Sequence, residues 1–192
     1  MEALQALLER VSVSRLVEPA PSQAQRQVLF EAAMRAPDHG QLRPWRFLTV
    51  EGEARHALGE LLADAAMAKG GDANEAAIEK AIEKARKGPL RAPLVVVAVA
   101  VVRPHPKVPA SEQVLTAGCA VHALLLAAYA QGIGAMWRSG ELSFARSVAQ
   151  GLGLAEHEQI IGFIYLGTPA HEVRPASRES AQAFVQAWPG VA

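Results

Sequence analysis

The sequence predicts one domain of mixed α and β structure, with many helices and few strands. Three observations support this. Helix-period segments alternate along the chain with shorter strand-like runs. The run from Pro93 to Val102 is continuously apolar and rich in β-branched residues, the mark of a strand buried on both faces. The chain has 192 residues, with no internal repeat, low-complexity linker or heptad run, and typical domains span roughly 100–200 residues.

Leu4, Leu7, Leu8 and Val11 recur at helical spacing and predict a first helix over 2–11. Pro19 and Pro21 break the chain. Ser22 followed by Gln25 is a capping-box pattern, which opens a helix over about 23–36. Pro37 disfavours helical geometry at Ala36 and ends it. The loop Asp38 to Pro44 leads into a strand from Trp45 to Val50. A helix is expected from Glu51 to Ala68, a turn at 69–72, and a charged, solvated cover helix from Glu75 to Lys87. After the apolar strand, a proline-rich loop carries His105 and Lys107. The longest helix runs from Ser111 to Gln131, apolar nearly all round and expected to be buried on several faces. Gly132 and Gly134 end it. A short strand at Met136–Arg138, a helix from Ser143 to Gly151 and a strand from Ile160 to Leu166 follow. The segment 170–192 contains Phe184, Val185 and Trp188, too apolar for a free tail, and is expected to pack on this subunit or a neighbour.

Composition narrows the classes. Hydrophobic residues make up 51% and aromatics only 5%, so the core is built mainly of Ala, Leu, Val and Ile. That surplus suits an oligomer with a buried interface. Lys plus Arg and Asp plus Glu are both 19, giving zero net charge and none of the basic excess of a general nucleic-acid binder. Cys119 is the single cysteine and lies in the apolar helix, so no intrachain disulfide forms and a reducing cytoplasm is the expected compartment. The N-terminus lacks a secretory pattern. The stretch Ala117 to Ala130 contains His122, falls short of the ~20 residues of a membrane span, and is expected to be a buried helix.

Three polar stretches then stand out: Arg10-Val11-Ser12, Arg35 to His39, and Trp137-Arg138-Ser139-Gly140. Cations and hydroxyls at helix ends suit one composite anion site. Gly132-Ile133-Gly134 fails as a dinucleotide fingerprint, because position 137 is Trp and the stretch follows a helix. It fits an acetyl-CoA pyrophosphate loop no better, with Met at 136. Cys119 and His122 lack the further ligands of a zinc site, and His122 is expected to be a satisfied core histidine. No protein nucleophile is apparent, which suits an enzyme whose cofactor does the chemistry.

Arg10-Val11-Ser12-Val13-Ser14-Arg15 resembles the N-terminal Arg-Arg-Ser-x-Arg signature of the FMN-dependent nitroreductase family. Arg35-Ala36-Pro37-Asp38-His39 with Gln41-Leu42-Arg43-Pro44-Trp45 resembles that family's Ala-Pro-Ser…Gln-Pro-Trp segment. Gly118-Cys119-Ala120, Ala130-Gln131-Gly132, Trp137-Arg138-Ser139-Gly140 and Leu166-Gly167-Thr168-Pro169 follow in order and are similar to its compact YdjA-like branch.

The resemblance implies a central, mostly antiparallel sheet flanked by helices, in an intertwined homodimer with FMN at the subunit interface. The segment from about 170 to 192 would pack on the partner. Arg10, Val11 and Ser12 would meet the FMN phosphate and ribityl chain, with Val11 serving through its backbone alone. Arg35 and His39 would reach the flavin from the partner subunit, and Trp137, Arg138 and Ser139 would line the ring. Arg174 and Arg178 are candidates for a C-terminal basic pair at the phosphate. Ala127, Ala128, Tyr129, Ala130, Gln131 and Gly132 correspond to a stretch linked to NADH or NADPH. The activity implied is ping-pong hydride transfer to nitroaromatic or quinone-type small molecules, with no catalytic side chain, metal, nucleic acid or membrane. A flavin-binding carrier or sensor that does not turn over is the alternative.

Overall fold

The computed structural model describes residues 2–71, 74–176 and 179–188. Its elements are α1 (Ala3–Glu9), β1 (Leu16–Val17), α2 (Gln23–Ala33), β2 (Trp45–Glu51), α3 (Ala54–Lys69), α4 (Glu75–Lys87), β3 (Leu94–Val101), α5 (Ala110–Ala130), β4 (Gly134–Arg138), α6 (Arg146–Gly151) and β5 (Glu158–Pro169). Short 3-10 turns lie at His39–Gln41, Gly88–Arg91, Glu141–Phe144 and Ala181–Ala183.

The five strands form an antiparallel sheet organised by β5. One edge of β5 pairs with β3, which in turn pairs with β2. Its other edge is shared end to end by β4, opposite 163–167, and β1, opposite 168–169. β5 therefore runs well beyond the predicted Ile160–Leu166, because it serves three partners along its length. Register along β3 and β5 slips between Ala98/Gly162 and Val99/Ile160, leaving Ile161 as a one-residue bulge.

β3 is buried over its whole length, as its apolar run predicts. Alternate residues feed two cores. Val95, Val97, Val99, Phe163 and Tyr165 face α3, α4 and α6. Leu94, Val96, Ala98, Ile164 and Leu166 face α2 and α5. α4 matches the predicted cover helix, with Ala85 its buried residue.

Local boundaries shift for identifiable reasons. The Ser22 and Gln25 capping box opens α2 as expected, but α2 ends at Ala33. Arg35 and Ala36 donate instead to the carbonyls three residues back, a tightened last turn ahead of Pro37. α3 starts at Ala54, not Glu51, because Glu51 pairs with Leu94 in the sheet and Gly52 makes the turn at φ 56°. The single helix expected over 143–151 is split by extended backbone at Ala145.

The structure overturns the expected burial of α5 on several faces and of His122 in the core. α5 has 21 residues, long and apolar enough to cross a membrane by length and composition. It lies instead against the sheet and α2, and only one side is buried, at Ala117, Ala120, Val121, Leu124 and Ala128. Leu115, Cys119 and His122 are exposed. The histidine is thus no core residue, and the cysteine is not sequestered. Phe184, Val185 and Trp188 are mostly exposed on this subunit, at 75%, 71% and 94%.

Candidate functional site

Strand alternation divides the Trp137-Arg138-Ser139 stretch. Trp137 packs with the α2/α5 core. Its indole Nε1 donates to the carbonyl of the bulged Ile161 at 3.2 Å, and the ring lies over Gly162 and near Gly118 of α5. Arg138 points to the other face, where its guanidinium sits 5.2 Å from the centroid of the Tyr165 ring. Arg138 and Ser139 line a cavity of about 530 Å³ between the sheet, α3 and α4. Burial raises the Tyr165 phenol above its usual 10.0 despite the nearby Arg138 and Arg91 cations.

The Arg10–Ser12 segment leaves α1 and runs beside the start of β4, where Val13 donates to Ala135 at 2.9 Å. Val11 helps line a second cavity of about 320 Å³, together with Tyr129 from α5 and with Arg174 and its neighbours from the chain after β5. Arg10 is half-buried. Neither Arg10 nor Arg174 makes an ion pair among the described residues. Arg178 lies outside the described residues.

The 35–44 loop is held by Asp38, whose two carboxylate oxygens accept from Leu42 N at 3.2 Å and Arg43 N at 2.7 Å. This loop places Gly40, Gln41 and Arg43 at positive φ, a costly backbone for the last two. His39 Nδ1 meets Glu112 Oε1 at 2.8 Å, tying the loop to the first turn of α5. Arg35 is exposed at the end of α2.

Of the stretch 127–132, Ala127 and Ala128 pack in the core, and Tyr129 lines the Val11 cavity. Gln131 Nε2 caps Ala127 O at 3.2 Å, and Gly132 reverses the chain at φ 72°. Most of this stretch thus terminates a helix.

The fold brings Arg10–Ser12, Tyr129 and Arg174 to one end of β4 and Trp137–Ser139 to the other. It leaves His39 apart. His39 sits by Glu112 and Val11 by Tyr129, so about 25 Å of helix separates them at 1.5 Å per residue. Residues that shape the site without being legible as such are Gly162, Tyr165, Glu112 and Lys84. Only Gly162 left a signal, as an isolated glycine inside a strand.

The five-stranded antiparallel sheet carries the Val11, Tyr129 and Arg174 cavity at one end of β4 and the packed Trp137 indole toward the other. The chain belongs to the nitroreductase family, whose model matches residues 7–168. It is 47% identical over 169 residues to the Escherichia coli (strain K12) protein named "Putative NAD(P)H nitroreductase YdjA", covering 88% of this chain and 89% of that one. In fold it is similar to a nitroreductase-like family protein from Bacillus cereus, with a TM-score of 0.80 and 22% identity over 99% of this chain and 97% of that chain. It is similar also to the FMN and NADPH-dependent nitroreductase NfnB from Sphigopyxis sp. strain HMH, with a TM-score of 0.75 and 18% identity over the whole of both chains.

Proposed function

We propose that this protein is an NAD(P)H-dependent FMN oxidoreductase that passes hydride to nitroaromatic or quinone-type acceptors in a ping-pong cycle, as a homodimer with FMN between its subunits. The observation that carries this reading is the meeting of Val11, Tyr129 and Arg174 around one cavity, with Arg10 and Ser12 adjoining it in sequence and Arg10 and Arg174 free of ion pairs among the described residues. Arg174 in the cavity wall and Arg10 beside it suit a phosphate monoester, with Glu9 the one carboxylate among the described lining residues. β4 then spans about 13 Å, at some 3.3 Å per residue, from that corner toward Ser139. This separation suits the distance between the phosphate and the ring of FMN.

The residues present fit FMN in kind. Arg10, Ser12 and Arg174 would hold the phosphate, while Val11 offers only its backbone. Trp137 is locked by its bond to Ile161 and its bed on Gly162. It would act as a rigid wall for the ring, positioned without reorganisation cost. Bound there, FMN would supply the redox chemistry between NAD(P)H and the acceptor. No side chain needs to act as nucleophile. Arg35 and His39, too far along α5 to share a ligand with Val11 of the same chain, would come from the partner subunit. The exposed Leu4, Leu7 and Leu8 of α1, together with the apolar 184–188 segment, supply surface for that partner to cover.

The test is the colour and turnover of purified protein. A flavin absorption band that bleaches with NAD(P)H and recovers with a nitroaromatic or quinone supports the reading. A colourless protein indifferent to added FMN refutes it, and FMN binding without NAD(P)H oxidation makes it a carrier or sensor instead.

A further inference from the structure

Most of the stretch 127–132 terminates α5 at the Val11 end of β4, away from Arg138 and Ser139 at the ring end. The surroundings of the ring end are unevenly charged. The cavity of about 530 Å³ there has two lysines in its wall, Lys69 from α3 and Lys84 from α4. Lys69 is neutralised by Glu141 at 2.9 Å. Lys84 makes no ion pair among the described residues. It also lines a neighbouring open groove of about 640 Å³, so it is the wall residue that joins the two spaces.

That groove is lined by Lys80, Glu83, Lys84, Lys87, Leu90 and Arg91. Lys80, Lys84 and Lys87 recur at helical spacing on α4, which stacks them on one face. Arg91 follows in the 3-10 turn after the helix. Glu83 is the one carboxylate in this lining, and Lys87 at 2.6 Å and Arg86 at 3.2 Å already hold it. Lys80, Lys84 and Arg91 have no ion-pair partner among the described residues. In a chain of zero net charge, three uncompensated cations in one groove form a local field suited to an anion.

We propose that this stripe receives the 2′-phosphate of NADPH, with Lys80 and Lys84 as its main contacts, and so makes NADPH the preferred hydride donor over NADH. The assignment rests on the hydride transfer proposed above. Reacting atoms must approach to about 3–3.5 Å, so the nicotinamide fills the ring-end cavity and the adenosine half trails out along its wall. The Lys69 side of that wall is neutral, whereas the Lys84 side leads to further cations. The two nucleotides differ only in the 2′-phosphate, which carries nearly two negative charges at neutral pH. These lysines are exposed. Each contact is therefore weak and screened by salt, and the discrimination comes from several acting together.

The experiment titrates FMN-loaded protein with NADP+ and NAD+, which cannot donate hydride, and measures steady-state oxidation of NADPH and NADH alongside. At low ionic strength NADP+ should bind about tenfold more tightly than NAD+, and kcat/KM should favour NADPH by about the same factor, carried by KM. Lys80→Ala and Lys84→Ala together should bring both ratios to within about twofold of unity, and high salt should do the same to the parent. Arg146→Ala, which removes an exposed cation on α6, should keep the parent's ratios. Equal affinity of the parent for the two nucleotides, or a parent-like ratio in the double variant, overturns the proposal. Oxidation of neither nucleotide overturns the proposed hydride transfer along with it, whereas oxidation of both at equal KM overturns the NADPH preference alone.

Discussion

Trp137 and Gly162 interlock across the β4–β5 pair: a Cβ at position 162 would overlap the Trp137 indole and approach the Arg138 carbonyl at 2.9 Å. The bulge at Ile161 gives the same indole its hydrogen-bond acceptor. Gly162→Ala therefore forces the indole out. The overpacking should cost about 1–3 kcal/mol, seen as a lower midpoint in thermal denaturation, with a changed tryptophan emission. An unchanged midpoint and spectrum would mean that the indole does not rest there.

Arg174 and Val11 line one cavity although they lie far apart in sequence. If that cavity receives the phosphate, Arg174→Ala should weaken FMN about tenfold, the worth of roughly 1.4 kcal/mol from a charge-assisted hydrogen bond. Riboflavin, which lacks the phosphate, should be bound equally by parent and variant. Equal FMN affinities by fluorescence titration would remove Arg174 from the site.

His39 and the Arg10–Ser12 segment belong to opposite ends of α5, which makes subunit complementation informative. Arg10→Ala and His39→Ala homodimers should each bind FMN weakly at both sites. A mixed dimer of the two should recover one tight site per dimer, because one interface then combines intact Arg10 with intact His39. No recovery would place both residues in one subunit's site.

α1 presents Leu4, Leu7 and Leu8 at 71%, 54% and 62% exposure. Solvent-facing leucines in such a row suit an interface. Leu8→Glu should shift sedimentation toward the monomer and weaken FMN with it, while Leu7→Met should do neither. A monomeric parent protein would refute the dimeric reading directly.

Arg46 grips Glu158 with two hydrogen bonds of 2.6 and 2.8 Å, linking β2 to the start of β5. The guanidinium, helped by the Ala155 N–H, lowers the Glu158 carboxyl from the ordinary 4.5 to about 2. A carboxyl depressed by folding stabilises the native state above its unfolded value, and that contribution fades as pH falls. The stability difference between the parent and Glu158→Gln should be constant above about pH 5.5 and shrink between pH 4.5 and 2. A difference that does not vary with pH would show the pair to be energetically silent.

Much of this protein is written locally in its residues. The Ser22 and Gln25 cap, the β-branched run of β3, the helical spacing of α5 and the ordered family motifs each act over a few neighbouring positions, so they are readable before folding. Pairing is different. Ile161 becomes a bulge only because β3 and β5 slip by one residue, and only the strand's pleat sends Trp137 and Arg138, adjacent in the chain, to opposite faces of the sheet. Arg174 shares a cavity wall with Val11, and Arg138 lies over the Tyr165 ring of the neighbouring strand, through the approach of distant segments whose geometry no local pattern encodes. The one-sided burial of α5 has the same origin: its composition states that it is apolar, but which side finds a neighbour depends on where α2 and the sheet come to rest.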